Sequence, residues 1–306
     1  NCIAAVVVYQ DRHMCDRTAP RKPWQSRTLW SKLQIQTQHG LATGALKPID
    51  TRYEIVPDTG VDFIVRILTN LNRKAQARKV QAKEKTNPFL PYDQNLYVTD
   101  ISDTHVCLLN KFNVVEHHFL IVTRQFESQL NWLTLGDFQA LCRCLEEVTG
   151  LFFFNGGQAA GASQPHKHLQ IIPQQSMKLP VEAAIQTTKF IDGIGQSPML
   201  PYTHRIAQLS PDDTAEQWLQ RYRQLLSHLS IGAPSDQWHQ PQRHPYNLLG
   251  TRNWLMVVPR RQDGHLGISV NSLGFAGSLL VKNQTQMDHL KQIGPMTLLK
   301  EVGQTP

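Results

Sequence analysis

The sequence predicts an α+β protein, a mixed sheet with helices on one side and a C-terminal part that completes a functional site. Three observations carry this reading. Short β-branched and apolar runs, VDFIVRIL at 61–68 and HFLIVT at 118–123, have the length and residue types of buried strands. Two stretches, from Leu135 to Val148 and from Trp218 to Leu229, repeat apolar residues at helical spacing. A small-residue segment, NGGQAAGASQPHKHLQIIP at 155–173, joins two further strand candidates.

In chain order, residues 1–28 are polar and irregular, with Pro20 and Pro23, and read as a poorly ordered tail. Helical spacing begins near Leu29. After the strand at 61–68 comes a basic segment holding Arg73, Lys74, Arg78, Lys79, Lys83 and Lys85, and then NPFLPYD, where Pro88 and Pro91 break regular structure. Residues 96–98 and 106–109 are short strand candidates. Thr134 can cap a helix carrying Leu135, Phe138, Leu141, Leu145 and Val148, with Gly150 to end it. Phe152–Phe154 is a strand entering the glycine loop, and Leu169–Ile172 is the strand leaving it. The second amphipathic helix carries Trp218, Leu219, Tyr222, Leu225, Leu226 and Leu229. The last strong strand, Trp254–Val258, is closed by Pro259, Arg260 and Arg261, and the glycine-rich VNSLGFAGSLLVK follows at 270–282. The expected organisation is a tail (1–28), a first region (29–195) and a C-terminal region that completes a functional site (196–306).

Composition narrows the function classes. A chain of 306 residues with 41% hydrophobic and 18% charged residues can bury a sizeable core and is not of disordered type. No apolar run approaches the ~20 residues a membrane span requires, so no membrane partner is expected. The five cysteines, Cys2, Cys15, Cys107, Cys142 and Cys144, are odd in number and show no CxxC spacing. They read as reduced thiols in a cytoplasmic protein without a structural zinc. The net charge of +7 comes largely from the basic segment. That segment is either a solvated loop or a field that attracts a polyanion, a polyphosphate or nucleic acid.

The chemistry concentrates in 155–173. A strand has period two, so His166, His168 and Gln170 share one face while Lys167, Leu169 and Ile171 share the other. Upstream, Gly156, Gly157 and Gly161 allow close backbone approach, Ser163 adds a hydroxyl, and the loop's N–H groups can form an anion-binding nest. An imidazole beside a phosphate cradle suggests phosphoryl or nucleotidyl transfer with histidine as nucleophile. Two competing readings stand: a pair of metal ligands, for which no third ligand is evident nearby, and satisfied structural histidines.

The segment GASQPHKHLQ resembles the active-site signature of the diadenosine tetraphosphate (Ap4A) phosphorylases, also called ATP adenylyltransferases. These belong to the histidine-triad superfamily and are related to galactose-1-phosphate uridylyltransferase. NPFLPYD, LLNKFNVVEHHFLIVT, YNLLGTRNWLMVVPRR and VNSLGFAGSLLVK each resemble blocks of the same family, so the similarity spans roughly residues 40–285. The cysteine pair of zinc type seen in some uridylyltransferases is absent, which favours the phosphorylase branch. The resemblance implies a histidine-triad (HIT-like) fold, a mainly antiparallel sheet with packed helices.

It also implies a mechanism. His168 would attack an α-phosphate to form a covalent AMP-histidine, ATP would leave, and inorganic phosphate would take the AMP as ADP. The second ring nitrogen of His168 must then donate to an acceptor such as a backbone carbonyl. His166 would orient the site. Gln170, Ser163 and backbone N–H groups of Gly161, Ala162, Ser163 and Gln164 would hold phosphate oxygens as charge develops. Asn155 would lie in the α-phosphate region, and Asn110 and Lys111 in the segment that binds base and ribose. Lys74 sits where the family has a polyphosphate-binding lysine, and Lys282, with Asn271, Ser272 and Leu273, resembles the segment that reaches the distal nucleotide or phosphates.

The expected partners are Ap4A, ATP, ADP and phosphate, in a monomer or homodimer, with no tightly bound cofactor and Mg²⁺ accompanying the polyphosphate. The alternatives within enzymes are a dinucleoside polyphosphate hydrolase and a uridylyltransferase. The rival class is a non-enzymatic nucleotide- or RNA-binding protein. RNA readers interleave aromatics with basic residues, and the stretch from Arg73 to Lys85 holds no aromatic.

Overall fold

The computed structural model describes residues 24–69, 87–176, 178–232, 237–238 and 240–305. In chain order these form α1 (Leu29–Ala42), β1 (Thr51–Asp58), β2 (Val61–Leu68), β3 (Tyr97–Asp100), β4 (His105–Leu109), β5 (Phe119–Thr123), α2 (Leu135–Leu145), β6 (Gly150–Gly156), β7 (His168–Pro173), α3 (Glu182–Ile185), β8 (Lys189–Ile191), β9 (Ile194–Gln196), β10 (Arg205–Gln208), α4 (Ala215–His228), β11 (Tyr246–Gly250), β12 (Trp254–Pro259), β13 (Gly264–His265), β14 (Ile268–Ser269), α5 (Ser272–Phe275), β15 (Ser278–Val281), α6 (Gln284–Ile293) and α7 (Pro295–Val302). Ten strands make one antiparallel sheet in the order β3-β4-β5-β7-β6-β11-β12-β10-β9-β8. The α+β class is as expected. The division expected at 195/196 falls within β9, and the sheet runs across it.

The sheet is covered on both faces, which corrects the expectation of helices on one side. Successive residues of β6 alternate between two cores. Phe152 and Phe154 join α1, α2 and α4, whereas Leu151 and Phe153 join α6, α7 and a small sheet, β1-β2-β15. Hence every residue of β6 is buried and the run GLFFFNG is almost wholly apolar, as a two-sided strand requires. A third, smaller cluster of Phe89, Tyr97, Val106, Leu108, Leu120 and Val122 lies under β3, β4 and β5.

The helix termini explain where elements begin. Thr134 caps α2 as expected, in a reciprocal box with Asp137. Thr214 and Gln217 do the same for α4. Helix α1 is capped from afar: the Glu147 carboxylate accepts the backbone N–H groups of Arg27, Thr28 and Leu29 at 2.8–3.0 Å. Trp24 packs on the core and against Arg143. Residues 24–28 are therefore docked, which corrects the expectation of a tail reaching residue 28. Gly150 does not end α2, which stops at Leu145. It opens β6, where a Cβ would stand 2.3 Å from the Ile172 carbonyl oxygen across the β6–β7 ladder.

Candidate active site

Strand β7 lies between β5 and β6, so the segment HKHLQ is held from both sides. Gln170 pairs with Leu120 on one side and Phe153 on the other, and His168 pairs with Val122. Directly opposed residues share a face. His168 and Gln170 therefore project where the apolar covering divides, between the cluster of Leu120 and Val122 and the core that contains Phe153. Leu169 and Ile171 turn the other way, into the first core.

His168 is 4% exposed. Its Nδ1 donates to the His166 carbonyl at 2.8 Å, the acceptor that the sequence argument called for. That bond fixes the tautomer and leaves Nε2 as the nitrogen with the free lone pair. Burial pushes the ring down to about 4, with the neighbouring His166 ring acting in the same direction and the hydrogen bond to the His166 carbonyl opposing both. The imidazole is thus a neutral free base at neutral pH, more completely than an ordinary histidine near 6.5. Phe89 lies against it, ring centroids 5.4 Å apart.

His166 supports the site. The Phe89 N–H holds Asn87 Oδ1, so Asn87 Nδ2 is the end that donates to His166 Nδ1 at 2.8 Å. His166 Nε2 then donates to the Thr123 carbonyl at 2.8 Å. With both nitrogens bound and the ring buried, His166 is spoken for and does not compete as nucleophile. Among the described residues no cluster of three or more His, Cys, Asp or Glu side chains is placed to hold a metal.

Beyond the pair Phe153–Gln170 the two strands part, and Gln129 bridges them. Its Oε1 accepts the His168 N–H at 2.8 Å and its Nε2 donates to the Asn155 carbonyl at 2.9 Å. From Asn155 the chain enters the glycine loop. Gly157 has φ +94° and Gly161 φ +88°, and a Cβ on Gly161 would stand 2.7 Å from the Asn271 Cβ. The Gly161 and Ala162 N–H groups close the loop on itself, to Gln158 and Gly157 carbonyls. They are not free for an anion, which corrects that part of the expected cradle. The N–H groups of Ser163 and Gln164 have no backbone partner among the described residues and fit the role.

Gln170 is half-buried, and its Oε1 accepts from His118 Nε2 at 3.0 Å. His118 Nδ1 accepts from Asn110 Nδ2 at 3.1 Å. Burial pushes His118 down to about 4. The Asn110–His118 relay turns the Gln170 amide so that its Nε2 is the donor left over. Asn110, expected at the base and ribose, serves here as the anchor of that relay. Lys111 packs over Phe112, 5.8 Å from the ring centre.

The C-terminal segment does reach the loop. Ser272 is fully buried, and its Oγ and N–H both donate to Asn155 Oδ1, at 2.7 and 3.0 Å. Asn271 caps α5 through the Leu273 N–H, and Leu273 packs on the second core. These residues hold the site's wall together; Ser272 and Leu273 take up packing and clamping where the sequence argument expected nucleotide contacts. Lys282 is exposed after β15, and no hydrogen bond or ion pair among the described residues links it to the loop. Lys74 and the rest of the basic segment lie outside the described residues.

Sequence reasoning missed several supports. Asn87, His118, Asn247 and Arg260 sit inside the quoted family blocks, a signal that could have flagged them. Thr123 closes the block LLNKFNVVEHHFLIVT and shares that signal, whereas Gln129 carries none. Lys167, placed on the apolar side of the strand, is fully buried and ion-paired to Asp137 at 2.6 Å and Glu127 at 3.2 Å. Burial would raise the Asp137 carboxyl, but the hydrogen bond from His105 and the Lys167 charge outweigh it and hold it at about 2. This pair ties the back of the strand that carries His168 to α2.

The assembled groups are a neutral imidazole whose Nε2 lone pair is unpaired among the described residues, two backbone N–H groups without a backbone partner among them, and two oriented amide donors. Such a set suits attack on a centre that carries anionic oxygens.

Comparison with known proteins agrees. Residues 19–187 match the family model of the Ap4A phosphorylase N-terminal domain, and residues 198–305 match that of the ATP adenylyltransferase C-terminal domain. The chain is 28% identical over 263 residues to diadenosine 5',5'''-P1,P4-tetraphosphate phosphorylase 2 of Saccharomyces cerevisiae, covering 77% of this chain and 81% of the relative. It is 26% identical over 254 residues to Protein APA1 of the same yeast, covering 74% and 78%. The crystal structure of yeast Ap4A phosphorylase Apa2 superposes with a TM-score of 0.75 at 24% identity, covering 90% of this chain and 97% of that one. Its complex with Ap4A gives 0.72 at 24% identity, with 90% and 97% covered. The fold is shared across nearly the whole chain, and with both domain models matched in order, this protein belongs to the Ap4A phosphorylase family.

Proposed function

We propose that this chain cleaves Ap4A with inorganic phosphate to ATP and ADP through a covalent AMP on His168. The observation that carries this is the Nδ1–carbonyl bond of His168, which leaves Nε2 as a neutral nucleophile beside oriented donors. Nε2 attacks the α-phosphorus, forming a P–N bond as the P–O bond to the departing ATP breaks. The Ser163 and Gln164 N–H groups, Gln170 Nε2 and Asn155 Nδ2 stabilise the oxygens where charge gathers. A phosphate oxygen then attacks the same phosphorus, releasing ADP and restoring the free ring. Gln170 neither donates nor takes a proton near neutral pH. The site therefore suits a leaving group that departs as an anion and an acceptor that arrives as one.

Membership of the family and the match to a relative named for this activity support the reading. The proposal includes no tightly bound cofactor, Mg²⁺ carried on the substrate's polyphosphate, a cytoplasmic monomer or homodimer, and no nucleic-acid partner. No helix among the described residues is long and apolar enough to cross a membrane.

The test is product analysis of Ap4A with and without added phosphate. ATP and ADP in equal amounts, formed only with phosphate, are the expected result. Phosphate-independent release of AMP overturns the reading in favour of a hydrolase.

A further inference from the structure

Arg260 is 2% exposed, yet its donors all go to neutral oxygens. Nη1 reaches Asn247 Oδ1 at 2.6 Å, Nη2 the carbonyls of Gln262 at 2.7 Å and Val270 at 3.0 Å, and Nε the Val302 carbonyl at 3.1 Å. Its guanidinium carbon lies 5.2 Å from the Phe275 ring centre. A buried cation whose hydrogen bonds among the described residues go to neutral oxygens, with the Asp263 carboxylate acting on it only from longer range, is costly to keep. What it does for the fold follows from its chemistry: a guanidinium donates and cannot accept.

The donor-only group dictates the direction of a chain of amides. Asn247 must offer Oδ1 to Arg260, so its Nδ2 faces the other way. That Nδ2 donates to Asn155 Oδ1 at 2.9 Å, the Ala160 carbonyl at 2.8 Å and Ser272 Oγ at 2.9 Å. Asn155 Oδ1 also accepts the Ser272 N–H and hydroxyl. The oxygen of Asn155 is thereby turned into the protein, and its Nδ2 is turned away from the network. No hydrogen bond among the described residues uses that Nδ2. Gln129 ties the Asn155 carbonyl to the His168 N–H, and Asn155 stands two residues beyond Phe153, the partner of Gln170, so its side chain projects on the face that carries Gln170 and His168.

We infer that Arg260 and Asn247 are positioning residues that hold Asn155 as a donor toward an anionic oxygen of the phosphoryl group transferred at His168. With the amide reversed, Asn155 would present an acceptor to an anion. The inference rests on the phosphoryl-transfer reading above and adds to it the residues that set the direction of one donor. The same hydrogen bonds place the Ala160 carbonyl, so the glycine loop and the Asn155 donor are set by one group.

The test is a double-mutant cycle on purified full-length protein. Asn247→Asp still accepts from Arg260 but offers Asn155 a carboxylate oxygen, which draws the Asn155 amide round. The expected loss in kcat/KM for Ap4A is about 10²-fold, the usual scale for one lost donor to a developing anion. Asn155→Ala should lose a similar factor, and the double variant should fall no further than Asn155→Ala alone. Asn247→Asp within about threefold of wild type, or losses that multiply, overturn the inference. Should Asn247→Asp fail to fold, Arg260→Met carries the same comparison: its loss should vanish in the Asn155→Ala background, and multiplication overturns the inference. If the wild type does not turn over Ap4A at all, the proposed function fails. The same cycle read by calorimetric AMP binding then decides the positioning role alone, non-additive losses supporting it and additive ones overturning it.

Discussion

The Nδ1 of His168 lies 2.8 Å from the carbonyl oxygen of His166, two residues earlier in the chain. A strand residue that hydrogen-bonds its own backbone in this way needs no partner from elsewhere to set its tautomer. Its other nitrogen is then committed to the substrate side, and burial keeps that nitrogen unprotonated.

Incubation with Ap4A labelled in the adenosine should leave an acid-labile, base-stable label on the protein, and His168→Ala should abolish it while remaining folded. His166→Ala should be milder. Because the folded ring is held near about 4, the free base persists as pH falls. The single-turnover labelling rate should stay level from pH 8 to about pH 5 and drop below that. A midpoint near 6.5 would show that burial does not tune the ring.

Gln170→His should raise the AMP:ADP product ratio relative to wild type. A histidine there can take a proton from water, and general-base help is typically worth ~10²–10⁴-fold. His118 donates to the present amide at 3.0 Å and is positioned to orient the replacement ring as well. An unchanged ratio at saturating substrate counts against Gln170 as the group that decides the acceptor.

Stability should fall as pH drops from about 6.5 to about 4. His118, His168 and His204 are each pushed to about 4, first by burial. A ring with a depressed folded pKa binds its proton more readily in the unfolded chain, so each should withdraw roughly 3 kcal/mol across that window. Denaturation midpoints at pH 7, 5 and 4 measure the drop. His204→Gln, which leaves the site untouched, should shrink it, and a flat profile would contradict the shifts.

Asp137→Asn should cost about 3–5 kcal/mol at neutral pH, because it removes the closer partner of a fully buried Lys167. A carboxyl held at about 2 contributes stability that is present above about pH 4 and lost as pH falls through 2. The variant should therefore lack roughly 2 kcal/mol of the wild-type acid dependence between pH 4 and 2. Equal slopes in that range would place the pair's contribution elsewhere.

Much of the architecture was legible because its signals are local. VDFIVRIL is β2, all of HFLIVT after His118 is β5, and Thr134 caps α2 as its position before the apolar repeat suggested. The elements missed have physical reasons. Strand β1 is an edge strand with a mostly exposed pattern, so TRYEIVPD shows little apolar periodicity. Strand β11 is five residues long and buried on both faces, a run too short to separate from a helix segment by period. In α6, QTQMDHLKQI buries only Met287 and Leu290, a stripe narrow enough to read as polar chain.

By itself the sequence determined the family, the strand of the His-x-His-x-Gln motif and the identity of its three facing residues, because a period-two motif beside a glycine loop is complete within twenty residues. Tertiary structure alone decided what each of those residues is able to do. Arg260 dictates the Asn155 amide through Asn247, Glu147 caps a helix that begins at Leu29, and Gln129 spans the parted strands. It also turned Ser272 from an expected ligand contact into a buried clamp on Asn155. These partners stand far apart in the chain. Their meeting depends on the order of ten strands, which local spacing does not encode, and on donor and acceptor directions that exist only once the sheet is closed on both faces.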